Sequence, residues 1–143
     1  MLCNLVVENY ALISKLEIEF RKGLTIITGE TGSGKTLAYC LPILHKITPG
    51  RGLQALVLTP TRELCVQITD VFKDFGKTLG IRTTSVYGGV AIGPQIHDIR
   101  SSDVVIGTPG RMLDHLRRRT IDLRNIKILV LDETDKMFEM GFV

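Results

Sequence analysis

Five short apolar runs, each ending in small, polar or acidic residues, constrain this chain more than any other feature. They are Leu24-Thr25-Ile26-Ile27-Thr28, Ala55-Leu56-Val57-Leu58, Thr84-Ser85-Val86-Tyr87, Val104-Val105-Ile106 and Ile128-Leu129-Val130-Leu131. Most are too uniformly apolar to leave one face wet, so they read as strands buried on both faces of a parallel sheet. Helix-length stretches separate them: Thr36 to Lys46, Thr61 to Leu79, Gln95 to Arg100 and Arg111 to Arg118. This alternation predicts an α/β fold, a mostly parallel sheet with helices on both faces. In such a sheet, ligands bind beyond the carboxyl ends of the strands. The segments that follow the strands are Gly29 to Thr36, Thr59 to Glu63, Gly88-Gly89, Gly107 to Arg111 and Asp132 to Asp135. Small and charged residues are thereby delivered to one edge, and that edge is the candidate site.

The first twenty residues follow a different rule. Leu16, Ile18 and Phe20 alternate with Lys15, Glu17 and Glu19, which predicts a strand with one wet face. With the run from Leu2 to Val7 it reads as a hairpin forming an antiparallel edge on the parallel sheet. The 143 residues suit a single domain over 1–143. No apolar run approaches membrane-spanning length, and the opening residues lack the basic start of a secretory signal. Cys3, Cys40 and Cys65 are widely spaced among apolar residues and read as buried reduced thiols, which suits a cytoplasmic protein. His45, His97 and His115 fall at no metal-ligand spacing. The net charge of +3 permits nucleic-acid binding without arguing for it.

Gly29-Glu30-Thr31-Gly32-Ser33-Gly34-Lys35-Thr36 fits G-x-x-x-x-G-K-[ST] between a buried strand and a helix, the context that confirms a phosphate-binding P-loop. Its glycines let successive N–H groups turn toward phosphate oxygens, and the helix that follows adds its positive end. Lys35 has the reach for the β- and γ-phosphates of ATP or ADP, and the Thr36 hydroxyl is a magnesium ligand. Asp132 and Glu133 close the last apolar strand as a Walker B pair. Asp132 orients the magnesium ion and Glu133 polarises the attacking water. The competing reading of that pair is an acidic helix start.

Thr31 to Thr36, Pro60-Thr61-Arg62-Glu63-Leu64, Gly88-Gly89, Thr108-Pro109-Gly110-Arg111 and Asp132-Glu133-Thr134-Asp135 follow one another in the order and spacing of a known set. From about Thr31 to Val143 the chain thereby resembles the first RecA-like domain of DEAD-box RNA helicases, through their motifs I, Ia, GG, Ib and II. The resemblance implies that Pro60, Thr61, Arg62, Gly89, Thr108, Gly110 and Arg111 hold single-stranded RNA by its sugar-phosphate backbone. Guanidinium groups, hydroxyls and helix N-terminal amides suit that task, and such contacts are independent of sequence. For Arg62 and Arg111 the bland reading is an exposed charge at a helix start. Arg117-Arg118-Arg119 reads as a solvated helix end.

The chain departs from that pattern in three places. Thr134 stands where the helicase family usually has alanine. The adenine-recognition motif expected upstream of the P-loop is absent, which predicts ATP and GTP affinities within about tenfold of each other. In its place, Leu5 to Ile13, Leu16 to Phe20 and Gly23 to Gly32 resemble the start of RecN-type DNA-repair ATPases of the SMC group. These observations predict a chimera: a leading hairpin over 1–28, the P-loop over 29–36, and a DEAD-box body over 37–143 that stops after motif II. The Ser-Ala-Thr strand and the second domain with its arginine finger are then missing. Slow hydrolysis, weak RNA binding and no unwinding follow as expectations. The alternatives are a nucleotide-binding module without turnover and an SMC-like head. Without the Ser-Ala-Thr strand, the P-loop and Walker B strands must pair directly or borrow a strand. Self-association by strand exchange is the favoured expectation.

Overall fold

Strands and helices alternate along the computed structural model, which describes residues 4–10, 13–19, 25–29 and 35–132, with side chains from Thr36 onward. Strands β1 (Asn4–Tyr10) and β2 (Ile13–Glu19) pair antiparallel, with Leu5 opposite Ile18 and Val7 opposite Leu16. Then come β3 (Thr25–Gly29), α1 (Lys35–Lys46), β4 (Ala55–Leu58), α2 (Arg62–Gly76) and a 3₁₀ turn at Lys77–Leu79. They are followed by β5 (Thr83–Val86), α3 (Ile92–Arg100), β6 (Val104–Gly107), α4 (Pro109–Arg118) and β7 (Ile128–Asp132).

The five later strands form one sheet in the order β3-β7-β4-β6-β5, and every pair in it is parallel. Its two faces are filled by alternate residues of the same strands, as the pleat requires. Ala55, Val57, Val104, Ile106, Ile128 and Val130 pack with Cys40 and Ile43 of α1 and with Cys65, Ile68 and Phe72 of α2. Leu56, Val105, Leu129 and Leu131 pack on the opposite face with Ile99 of α3 and Met112 of α4. Uniform apolarity along β4, β6 and β7 is the sequence trace of that double burial.

Two expectations are corrected. The hairpin is not an edge of the parallel sheet, because β1 and β2 form a separate two-stranded sheet. Nor does a missing strand leave a gap. Strand β3 pairs directly with β7 from Thr25↔Ile128 to Gly29↔Asp132. That register satisfies the facing backbone groups of both strands, so the argument for a borrowed strand loses its premise.

Two helices begin earlier than their sequence suggested. Helix α3 starts at Ile92 and takes in Gly93 and Pro94, while α4 starts at Pro109. Proline is tolerated in a first turn because its missing N–H has no intrahelical acceptor there. At its other end, α4 stops on Arg119, a non-glycine residue held at φ +57 by bonds from its N–H to the last turn.

Candidate functional site

All five parallel strands end on one side of the molecule, and the described residues that follow β4, β5 and β6 meet there. Gly29 closes β3 directly opposite Asp132, the last residue of β7. Lys35 and Thr36 open α1. The predicted residues Thr31, Gly32, Ser33, Gly34 and Glu133 lie outside the described residues, as does Thr134.

Asp132 is only 3% exposed, and Tyr39 of α1 donates its hydroxyl to Asp132 Oδ2 at 2.9 Å. The Thr36 side chain lies close enough to the Tyr39 hydroxyl to pull its pKa down slightly. Burial, reinforced by the Asp132 carboxylate, raises the phenol far above its ordinary range, so Tyr39 stays a neutral donor. Its ring is steadied by Phe72 of α2, 6.2 Å away between centroids and tilted by 37°. Tyr39 thus stands beside both Thr36 and Asp132, the two residues expected from the sequence to share one magnesium ion. The sequence held a trace of it, since Tyr39 lies one helical turn beyond Thr36 on the same face.

Thr36 and Asp132 contribute a hydroxyl and a carboxylate, and oxygen donors are what magnesium takes. No cluster of three or more His, Cys, Asp or Glu exists among the described residues. Cys40 and Cys65 are buried free thiols, as expected, with pKa values pushed by burial up to about 12 and about 11. Cys3 lies outside the described residues.

Farther along the same edge, the segments after β4, β5 and β6 meet. Pro60 is buried, while Thr61 caps α2 by accepting the Leu64 N–H at 3.2 Å. Arg62 opens that helix and lays its guanidinium 4.6 Å from the centroid of the Tyr87 ring. Gly89 has φ +81, a left-handed conformation costly for other residues, and a Cβ there would lie 3.9 Å from Arg62 Nη1. Thr108 is the N-cap of α4, and Gly110 is exposed in its first turn. Arg111 donates from Nη1 to Gln95 Oε1 at 3.1 Å and from Nη2 to the Val90 carbonyl at 3.0 Å. Arg111 is thus half-buried and bonded in the first turn of α4, while Arg62 is exposed at the start of α2 with its guanidinium against the Tyr87 ring. Arg118, by contrast, pairs with Asp114 at 2.9 Å on an exposed surface, as a solvated helix end does. Tyr87, Gln95 and His115 were missed. Nothing in their spacing separates a buried polar contact from an ordinary helix or loop position.

A five-stranded parallel sheet in the order β3-β7-β4-β6-β5, with helices on both faces, defines the class, a RecA-like α/β domain. The particular family follows from comparison. The profile of the DEAD/DEAH box helicase family matches residues 13–143. A probable ATP-dependent RNA helicase of Methanocaldococcus jannaschii is 41% identical over 118 residues, covering 82% of this chain and 32% of that protein. The ATP-dependent RNA helicase DBP2 of Gibberella zeae is 54% identical over 120 residues, covering 79% of this chain and 22% of its own length. Among solved structures, a DEAD box protein from the hyperthermophile Methanococcus jannaschii superposes with a TM-score of 0.78 at 41% identity, over 82% of this chain and 33% of that one. A hypothetical ATP-dependent RNA helicase from Sulfolobus tokodaii gives a TM-score of 0.73 at 43% identity, over 85% and 35% of the respective chains. The chain belongs to the DEAD/DEAH box helicase family. It spans about a third or less of the length of these relatives.

Proposed function

We propose that these residues bind ATP with magnesium, hydrolyse it slowly, and hold single-stranded RNA weakly by its backbone, without separating strands by themselves. The observation that carries the nucleotide reading is the convergence of Thr36 and Asp132 on Tyr39 at the strand ends, beside the start of α1. In this reading, the amides and Lys35 of the 29–36 segment cradle the phosphates, and Thr36 and Asp132 hold the metal ion. Magnesium supplies charge neutralisation on the phosphate oxygens. Glu133 orients and polarises the attacking water. The backbone of RNA lies along Pro60, Thr61, Arg62, Gly89, Thr108, Gly110 and Arg111. The names of the relatives, ATP-dependent RNA helicases, agree with this division of labour.

ATP turnover tests the catalytic part. The chain is expected to turn over slowly, and Glu133→Gln to abolish turnover while leaving Mg-ADP binding intact. Equal turnover in the parent and in Glu133→Gln would sink the assigned role. No turnover in either, with Mg-ADP still bound, would support an inert binding module instead.

The SMC-like origin of the leading segment is part of the same proposal. It rests only on the residues that carry the resemblance. The helicase profile nevertheless begins at residue 13, inside β2, and so overlaps that segment. Deleting residues 1–19 tests whether the hairpin is an appendage, which predicts unchanged Mg-ADP affinity. A loss of nucleotide binding would make it integral to the domain. Self-association also belongs to the proposal, since β3 stands at an end of the five-stranded sheet, where a second copy could add a strand. A sedimentation coefficient independent of concentration would rule it out.

A further inference from the structure

Gln95 is an amide in a helix that otherwise rests on the sheet through Ile99, and it is only 6% exposed. Its Nε2 donates to the Tyr87 carbonyl at 2.8 Å, and its Oε1 accepts from Arg111 Nη1 at 3.1 Å. The partners fix the orientation of the amide, because a carbonyl only accepts and a guanidinium only donates. Oε1 also lies 3.0 Å from Nε2 of His115, which is fully buried. Nε2 must therefore carry the imidazole proton. Nδ1 lies 2.8 Å from the Thr120 hydroxyl, which also reaches the His115 carbonyl at 3.2 Å.

The chain of bonds leads outward to one short turn. Gln95 holds the turn at Tyr87, and Arg111 holds it at Val90 through a 3.0 Å bond from Nη2. Between those anchors lie Gly88 and Gly89, the latter at φ +81. Over the turn lies the Arg62 guanidinium, 4.6 Å from the centroid of the Tyr87 ring. A glycine pair has little conformational preference of its own, so the shape of this turn depends on its two anchors. Both anchors pass through Gln95.

We propose that Gln95 is the positioning residue of the RNA-facing edge. Through Arg111 it fixes the 87–90 turn, and the turn in turn presents Arg62 and its own backbone amides to RNA phosphates. Arg111 acts here as a clamp, with one N–H of Nη1 held by Gln95 and one of Nη2 by the Val90 carbonyl. This inference rests on the RNA-backbone reading of the edge and adds what holds that edge in shape. Gln95 itself touches no RNA.

The test is a pair of variants read by two signals. Gln95→Leu keeps the approximate volume and removes the bonds. Arg111→Lys keeps the charge but cannot make both bonds from one ammonium on a flexible stem. Affinity for a fluorescent oligouridylate is expected to fall about tenfold in each, the size of effect that follows loss of a hydrogen bond to a charged group. Affinity for Mg-ADP is expected to stay unchanged in both. In the parent, the Arg111 guanidinium is expected to give NMR signals of a restrained side chain, and in Gln95→Leu these are expected to average. A residue that merely fills the core would lower thermal stability without moving either readout. Parental RNA affinity in Gln95→Leu, or restrained Arg111 signals in that variant, would overturn the positioning role. Full affinity in Arg111→Lys would show that Arg111 acts by charge and overturn the clamp. Failure of the parent itself to bind oligouridylate would overturn the RNA reading, while the Arg111 signals would still decide whether Gln95 restrains that side chain.

Discussion

At the scale of single residues, Tyr39 and His115 carry the sharpest expectations. Tyr39 sits 6% exposed between α1 and β7, and its hydroxyl is the donor that meets Asp132. Tyr39→Phe keeps the ring against Phe72 and deletes one buried bond to a carboxylate. The expected loss is about 1–3 kcal/mol in chemical denaturation. A loss below about 0.5 kcal/mol would mean that Asp132 is held by its other contacts. His115 concerns pH. Burial first, and then the charge of Arg111, hold its pKa below the ordinary value of 6.5. The unfolded chain therefore takes up a proton at this residue before the folded chain does. Its contribution to stability is whole above about pH 6.5 and is lost as pH falls through the lowered folded value. Unfolding free energies at about pH 7.5 and about pH 5.5 should differ more for the parent than for His115→Gln. Equal differences would show that His115 is not the group responsible.

At the scale of elements, the strand ends are held by close approaches that can be tested one at a time. Gly107 ends β6, and a Cβ there would lie 2.7 Å from Met112 Cγ and 3.2 Å from the Val86 carbonyl oxygen. The methionine side chain can move aside, but the carbonyl belongs to β5. Gly107→Ala should therefore cost about 1–3 kcal/mol by overpacking. Full stability in that variant would mean that α4 and β5 yield without strain. At the opposite end of the sheet, the Asp103 carboxylate accepts N–H bonds from Gly50 and Arg82, each at 2.9 Å. The strands after β3, the helices and the edge they create were legible because apolar periodicity and the P-loop pattern are local signals. The start of α4 was read two residues late, although a first turn accepts Pro109. The Gln95–His115–Arg111 bonds were not legible at all. They join residues from two helices and a turn, and no one-dimensional pattern records which buried polar groups find each other. Tyr39 lies between these cases, since helical spacing aligned it with Thr36 but could not place Asp132 opposite.

At the scale of the whole molecule, the sheet order determines what the site can be. Direct pairing of β3 with β7 puts Gly29 opposite Asp132, so the start of the proposed phosphate-binding segment and the proposed metal-binding acid stand on neighbouring strands. The separation across one such pair is about 4.8 Å. The RNA-facing segments follow β4, β5 and β6, which occupy the rest of the same sheet, so both proposed ligands share one edge. The central claim is that this edge binds a magnesium nucleotide, and thermal unfolding with and without Mg-ADP tests it most directly. Ligand at about a hundredfold over its dissociation constant should stabilise the chain by about 2.7 kcal/mol, and Lys35→Ala should remove most of that gain. No shift with Mg-ADP, or an equal shift in Lys35→Ala, would contradict it.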